Sequence, residues 1–170
     1  MSPSKLVKIF GPGDIPALYE LVRDGRHGTE EAYFERAFEE QTADKRLVFI
    51  VSLDEKLVGY AHYNRFPKYT PFRRLGIPEI QDLYVHPDHR CQGLGAALIA
   101  ACEAQAKSES CAEIGIGVGI TLEFGSAQRL YTAQGYRPDG AGVVFEREPV
   151  QVGEIRPIDD RLCLMLLKTL

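Results

Sequence analysis

Several features are scarce or missing in this chain of 170 residues. It contains no tryptophan and no cysteine pair at C-x-x-C spacing, and its four cysteines are scattered at Cys91, Cys102, Cys111 and Cys163. This pattern indicates neither a zinc ribbon nor a disulfide framework, so we expect free thiols in a reducing compartment. Basic residues are not in excess either, because 20 Lys and Arg stand against 24 Asp and Glu for a net charge of −4. That balance argues against a chain-wide affinity for nucleic acid or for an anionic membrane.

Long hydrophobic runs are also missing. The longest is Ala96–Cys102 (AALIAAC), far below the ~18–20 residues that span a bilayer. The first residues, MSPSKLVKIFGPGDIP, carry two lysines but no apolar run of secretory length before Pro12. We therefore expect a cytoplasmic protein without a membrane span.

The composition is that of an ordinary globular protein, with 45% hydrophobic and 26% charged residues. At ~150 residues per domain, the length predicts one domain over residues 1–170. Hydrophobic patterning and turn residues predict the elements of that domain. Strands are expected at residues 6–10, 46–52, 57–66, 80–85, 112–120, 136 with 143–145, and 162–168, and helices at 15–22, 30–42, 93–107 and 126–134.

Two segments carry further expectations. The strand at 80–85, the helix at 93–107 and the strand at 112–120 predict a right-handed βαβ crossover, with the two strands parallel. The basic, proline-punctuated segment 67–78 has the composition of a loop that drapes over a surface and does not pack inside.

The segment Arg90–Gly95 (RCQGLG) lies between a predicted strand and an Ala-rich helix. Glycines at 93 and 95 allow an anion to approach the backbone, the first N–H groups of the helix lack partners within it, and Arg90 adds positive charge. The sequence lacks G-x-x-x-x-G-K-[ST], and Leu98 stands where G-x-G-x-x-G needs its third glycine. The interpretation is a phosphate site for a ligand unlike ATP or NAD, with a plain glycine turn as the alternative.

The same stretch, EIQDLYVHPDHRCQGLGAALI, resembles motif A of the GNAT N-acetyltransferases, [QR]-x-x-G-x-[GA], through Arg90, Gly93 and Gly95. Downstream, AQRLYTAQGY resembles their motif B through Ala127, Leu130, Tyr131, Gly135 and Tyr136. Phe124 stands where motif B usually carries Asn, so we ask whether Ser126 substitutes for that contact.

The resemblance implies an α/β (α+β) fold of the GNAT type, with a mixed, mostly antiparallel sheet, a central parallel βαβ crossover and flanking helices. It implies acetyl-CoA as co-substrate, with the pyrophosphate at the Arg90–Ala96 loop and the pantetheine along one strand like an added strand. The implied contacts are Leu83, Tyr84, Val85, Arg90, Cys91, Gln92, Gly93, Leu94, Gly95, Ala96, Ser126 and Tyr131. No metal is expected, because His86, Asp88 and His89 lack a fourth ligand. Cys91 is either a passive thiol or able to form a mixed disulfide with CoA.

Acetyl transfer to an amine requires a neutral amine and a proton for the departing thiolate. Glu79 and Asp82 are the candidate bases, and strand alternation directs them to opposite faces unless a bulge intervenes. Glu79 is preferred, because its distance from Arg90 looks like the placement of the glutamate base in histone-type relatives. The alternative for each carboxylate is a surface ion pair.

Tyr131 is the candidate acid, because motif B matches at that position and a phenol suits a thiolate leaving group. Its alternative is an ordinary core tyrosine on the inward face of a short helix. A row of Gly115, Gly117 and Gly119 leaves bare backbone on one strand face, which we expect either the crossover helix or the ligand to cover.

These observations predict an N-acetyltransferase that acts on a primary amine of a small molecule or peptide by direct attack. No nucleic-acid or membrane partner is expected, and a homodimer is left open. The alternative is a non-catalytic acyl-CoA-binding module of the same fold, since a fold does not determine an activity.

Overall fold

Most of the strand pairs are antiparallel, among them the hairpin that β-branched and aromatic residues predict at 46–66. The computed structural model describes residues 4–23 and 30–170; residues 1–3, part of the amino-terminal segment considered above, lie outside them. The elements in chain order are β1 Lys5–Ile9, α1 Ile15–Val22, α2 Tyr33–Thr42, β2 Arg46–Leu53, β3 Lys56–Asn64, α3 Thr70–Leu75, β4 Glu79–Val85, α4 Leu94–Ser108, β5 Glu113–Gly119, α5 Gly125–Ala133, β6 Arg137–Phe145, β7 Glu148–Pro149 and β8 Leu162–Thr169. They belong to two compact units, residues 1–64 with 80–104 and residues 65–79 with 105–170.

The first unit contains the strand order β1-β2-β3-β4. β2 and β3 form the predicted hairpin, and Asp54 and Glu55 turn it with φ values of 45° and 67°. Val48 lies opposite His62 and Ile50 opposite Tyr60. The core on this face also takes side chains from α1 and α2, and its buried members are Phe10, Leu18, Val22, Phe34, Ala37, Val48, Ile50 and Tyr60.

The second unit contains the antiparallel order β5-β8-β6-β7, where β7 is a short strand that the sequence pattern does not predict. The Gly115 amide of β5 donates to the carbonyl of Pro78, just before β4, at 2.9 Å. β4 and β5 are the parallel strands of the predicted crossover, with α4 between them in the chain. The mixed, mostly antiparallel α/β (α+β) class with flanking helices is confirmed.

The expectation for segment 67–78 is wrong. Its middle forms α3, with proline near the helix start and Gly76 ending it in the left-handed region at φ 67°. Tyr69 is 0% exposed and Phe72 is 2% exposed. The charged residues that suggested a draped loop lie on the outer side of one helical turn, while the aromatic rings enter the core of the second unit.

The glycine row of β5 is covered by neither expected group. A Cβ on Gly115 would lie 2.1 Å from the Phe72 ring, and one on Gly119 would lie 2.4 Å from the Phe124 ring. A Cβ on Gly117 would lie 3.2 Å from Nη2 of Arg147. The bare backbone therefore accommodates side chains of the same unit, two of them aromatic.

α4 is 15 residues long. Within residues 4–23 and 30–170, no helix has both the length and the apolar character needed to cross a membrane.

Candidate functional site

The loop that connects β4 to α4 contains two residues in the left-handed backbone region. After a short 3-10 turn at Pro87–His89, Cys91 has φ 59° and Gly93 has φ 73°. The Gly93 carbonyl accepts the Ala97 amide at 3.1 Å, so Gly93 is the residue that caps α4. The next three amides lie in the first turn of the helix, where they have no carbonyl partner within it and the helix dipole is positive.

The loop has room for an anion next to these amides. A Cβ on Gly93 would meet nothing within 4 Å, and residues 90–93 are exposed. Arg90 is anchored beside them, because its Nε donates to the Val85 carbonyl at 3.1 Å. Backbone amides and a guanidinium are groups that bind a diphosphate, and the exposed loop leaves room for one.

The end of β4, just before the loop, is partly buried and hydrogen-bonded to β3. Leu83, Tyr84 and Val85 are each partly buried, and the His86 amide donates to Val58 of β3 at 2.9 Å. A Cβ on Gly59 would lie 2.7 Å from the Tyr84 carbonyl oxygen, so only glycine allows β3 to approach this closely. The predicted pantetheine contacts thus lie on a strand that packs closely against β3.

Asp82 interrupts the regular strand. Its φ is 50° and it is exposed, so the alternation that would relate it to Glu79 is broken in the middle of β4. The hydroxyl of Tyr33, the first residue of α2, donates to Asp82 Oδ2. Burial and the neighbouring Asp82 charge raise the pKa of Tyr33, so this hydroxyl remains a donor at neutral pH.

A buried histidine lies behind Tyr33. His62 is 0% exposed, its Nδ1 is 2.9 Å from Arg46 Nη1, and its Nε2 is 3.5 Å from the Tyr33 hydroxyl. Burial, opposed by the Asp82 charge and reinforced by Arg46, lowers the pKa of His62 to about 4. The ring is therefore neutral at pH 7.

Tyr60 adds a buried hydroxyl to the same group. Its side chain is 0% exposed, and its hydroxyl has no hydrogen-bond partner within the described part of the chain. Burial, the Asp82 charge and Tyr84 raise the pKa of Tyr60. We call Tyr33, Arg46, Tyr60, His62 and Asp82 the Asp82 cluster.

Glu79 has a different environment in the second unit. It is 0% exposed, and Arg147 Nη2 and Nε both reach its Oε1, at 2.8 and 3.1 Å. Arg147 Nη1 lies 3.8 Å from the Cys163 sulfur. Burial lowers the pKa of Arg147, but the charge of Glu79, the Cys163 sulfur and the hydrogen bonds to both together raise it above its ordinary value.

Tyr131 lies on α5 of the second unit and is 5% exposed. Burial raises its pKa, which keeps the hydroxyl protonated at neutral pH. Ser126, the second residue of α5, is exposed. Phe124, at the position of the motif's usual Asn, lies against Gly119 as described above, so this position serves packing.

The predicted residues thus occur in two groups. Asp82, the strand 83–85 and the loop 90–96 follow one another in the first unit, whereas Glu79, Ser126 and Tyr131 belong to the second unit. Sequence reasoning missed Tyr33, Arg46, His62 and Arg147. Of these, only His62 has a local signal, as an ionisable residue in the otherwise apolar and aromatic run LVGYAHY.

Comparisons with known proteins concern the family and the fold. Residues 15–136 match the acetyltransferase (GNAT) family. A ribosomal-protein-alanine N-acetyltransferase from Brucella melitensis is similar, with 20% identity and a TM-score of 0.72 over 97% of this chain and 99% of that one. An acetyltransferase-like protein, yncA from Salmonella typhimurium, solved with its cofactor acetyl-CoA, has 16% identity and a TM-score of 0.70 over 97% and 93%. An N-acetyltransferase from Staphylococcus aureus has 16% identity and a TM-score of 0.72 over 98% of both chains. No curated protein matches the chain in sequence.

Proposed function

Because the chain belongs to the GNAT acetyltransferase family, we propose that it transfers the acetyl group of acetyl-CoA to a primary amine. The GNAT resemblance of motifs A and B is confirmed by this match. Of the three neighbours described above, only the Brucella protein has an acceptor in its description, ribosomal-protein alanine, and at 20% identity or less their likeness shows the fold alone. The acceptor proposed here, an amine of a small molecule or peptide, therefore depends on the site.

The loop before α4 is the observation that carries the proposal. Gly93 combines a left-handed backbone with open space, and it caps the 15-residue helix α4 close to Arg90. These features support binding of the CoA pyrophosphate at Arg90–Ala96, and acetyl-CoA bound to the Salmonella neighbour supports the same co-substrate here. The partly buried residues Leu83–Val85 support a pantetheine contact along this strand.

Acetyl-CoA, when bound, supplies an activated acetyl group. A C–N bond forms between the acceptor amine and the acetyl carbon, and the C–S bond to CoA breaks. Asp82 is the proposed base that receives the amine proton, because it is exposed and can release that proton to solvent. Tyr131 is the proposed acid that returns a proton to the thiolate, and its buried, protonated hydroxyl supports this role. Ser126 is the proposed polar contact in place of the missing Asn.

Glu79 is the other predicted base. Its complete burial and its two bonds from Arg147 support a structural role for this carboxylate. We therefore prefer Asp82, and substitution of each residue separates the two hypotheses.

The binding experiment compares two glycines that have the same backbone type. Gly153 has φ 86° and, like Gly93, open space around a Cβ. Titration calorimetry with acetyl-CoA should show at least a ~10-fold weaker Kd for Gly93→Asp, because a carboxylate repels a diphosphate, and no change for Gly153→Asp. Equal binding by both variants would place the pyrophosphate elsewhere.

The alternative function is a non-catalytic acyl-CoA-binding module. Release of free CoA thiol in the presence of acetyl-CoA and a broad amine panel distinguishes the two. Binding of acetyl-CoA without amine-dependent thiol release favours the module, and turnover of any amine favours the enzyme.

We further propose a cytoplasmic location, supported by four free cysteines, one of them exposed at Cys91 in the loop. Light scattering with size exclusion tests the homodimer that the sequence leaves open.

A further inference from the structure

The contacts of the Asp82 cluster have a fixed direction. The Arg46 guanidinium can only donate hydrogen bonds and stays protonated at any working pH. Its contact with His62 at 2.9 Å therefore requires that Nδ1 accepts. In the neutral ring, the proton is then on Nε2.

The next two contacts continue this direction. His62 Nε2–H lies 3.5 Å from the Tyr33 oxygen and can only donate to it. The Tyr33 hydroxyl proton is thereby left for Asp82 Oδ2, to which it donates. This series of hydrogen bonds starts at Arg46, whose side chain also pairs with Glu40 and is 19% exposed. It ends at the exposed carboxylate of Asp82.

Two further observations mark the cluster. Asp82 has a left-handed φ of 50° in the middle of β4 and not in a turn. This conformation costs energy that the surrounding structure must offset, and such strain concentrates at functional sites. The buried Tyr60 hydroxyl, which lacks a hydrogen-bond partner among the described residues, belongs to the same cluster. Both observations are independent of the donor-to-acceptor direction of the hydrogen bonds.

We propose that Arg46, His62 and Tyr33 are positioning residues whose one-way hydrogen-bond chain fixes Asp82 to bind the ammonium group of the acceptor. This inference rests on the proposed function and adds its acceptor class. Tyr33 occupies Oδ2, and the second carboxylate oxygen receives the ligand N–H. A charged carboxylate next to tyrosine rings favours an aliphatic ammonium over an arylamine that is neutral at pH 7.

Tyr19 provides a matched control for Tyr33. Each ring meets the Phe34 ring edge-on at 5.0 Å, and each hydroxyl donates to a carboxylate, Glu35 in the case of Tyr19. Tyr33→Phe should lower kcat/KM for an aliphatic amine by ~10²-fold, because misplacement of a reacting group has an effect of this size. Its Kd for acetyl-CoA should stay within twofold of the parent, and Tyr19→Phe should change neither quantity. Equal kcat/KM for the two variants, or a parent that prefers arylamines, overturns the proposal.

Arg46 provides a conservative rescue. Arg46→Lys keeps a group that can only donate, so it should retain most of kcat/KM, whereas Arg46→Met should approach the loss of Tyr33→Phe. Equal activity of Arg46→Met and the parent overturns the role of Arg46.

The tautomer of His62 tests the chain without any turnover. Nitrogen NMR of histidine-labelled protein at pH 7 should show a neutral His62 ring protonated at Nε2, and Arg46→Met should shift protons toward Nδ1. An Nδ1–H tautomer or an imidazolium in the parent overturns the chain. If the parent turns over no amine, the proposed function and the acceptor role fail together, while the tautomer still decides whether the hydrogen-bond chain exists.

Discussion

The Glu79 carboxylate and the Arg147 guanidinium form an ion pair inside the second unit, with Nη2 and Oε1 2.8 Å apart. The Glu79 side chain is 0% exposed and that of Arg147 is 25% exposed. Removing one member of such a pair leaves the other charge without its partner, whereas replacing both with apolar residues often has little effect. The pair therefore gives different expectations for a structural carboxylate and for a catalytic base.

Glu79→Gln should lower the free energy of unfolding by about 2–4 kcal/mol, somewhat less than for a fully buried pair because Arg147 is partly solvated. Urea denaturation at pH 7 measures this loss. The double variant Glu79→Met/Arg147→Met should recover at least half of it, and the cycle of single and double variants gives the coupling between the two residues.

Catalysis by the same variant separates the two candidate bases. If Asp82 is the base, folded Glu79→Gln should retain kcat within about threefold, and Asp82→Asn should lower it by ~10²-fold. A ~10²-fold fall in Glu79→Gln, measured where circular dichroism shows full folding, would return the role of base to Glu79.

Tyr131→Phe should lower kcat by ~10²–10⁴-fold with little change in the Kd for acetyl-CoA, since it removes a positioned acid and keeps the ring. Stability should change by no more than ~1 kcal/mol. The control is Tyr136→Phe, which removes a hydroxyl from another buried tyrosine whose ring lies 6.4 Å from that of Tyr131. Parental turnover by Tyr131→Phe would make Tyr131 a core residue and solvent the first candidate for the acid.

Gly115→Ala should lower the free energy of unfolding by about 1–3 kcal/mol, the usual effect of overpacking, because the new Cβ would lie 2.1 Å from the Phe72 ring. Gly13→Ala is the control, since nothing lies within 4 Å of its Cβ position. Adding Phe72→Leu to Gly115→Ala should recover part of the loss. A melting temperature equal to that of the parent would show that the Phe72 ring moves aside without cost.

Much of this structure could be predicted because its signals are local. The hairpin strands are rich in β-branched and aromatic residues, and the glycines at 93 and 95 stand at the start of an Ala-rich helix, so strand, loop and helix cap follow from neighbouring residues. Motifs A and B are similarly short, which is why the family and the mixed sheet were predictable from the sequence.

The remaining features depend on long-range contacts that leave no local pattern. Arg147 reaches Glu79 from 68 residues away, and Tyr33 reaches Asp82 from 49 residues away. The left-handed backbone of Asp82 is equally hidden, because Asp82 lies inside a predicted strand with no neighbouring glycine or proline to mark a break. Phe72 was misassigned to a draped loop since the basic residues around it masked a single buried helical face.

The pH dependence of stability should report on His62. Its pKa is about 4 in the folded protein and close to the ordinary value of ~6.5 in the unfolded chain. As pH falls from about 6.5 to 4, the unfolded chain therefore binds a proton that the folded protein excludes, and stability is lost over this range. At about 1.4 kcal/mol per pH unit, the loss from His62 approaches 3 kcal/mol at pH 4.

Urea midpoints between pH 7 and 4 should fall less steeply for His62→Gln than for the parent, whereas His89→Gln should follow the parent. Acid-sensitive carboxylates affect all three proteins alike, so parallel curves for His62→Gln and the parent would mean that His62 takes up a proton as readily in the folded protein as in the unfolded chain, which contradicts a lowered pKa.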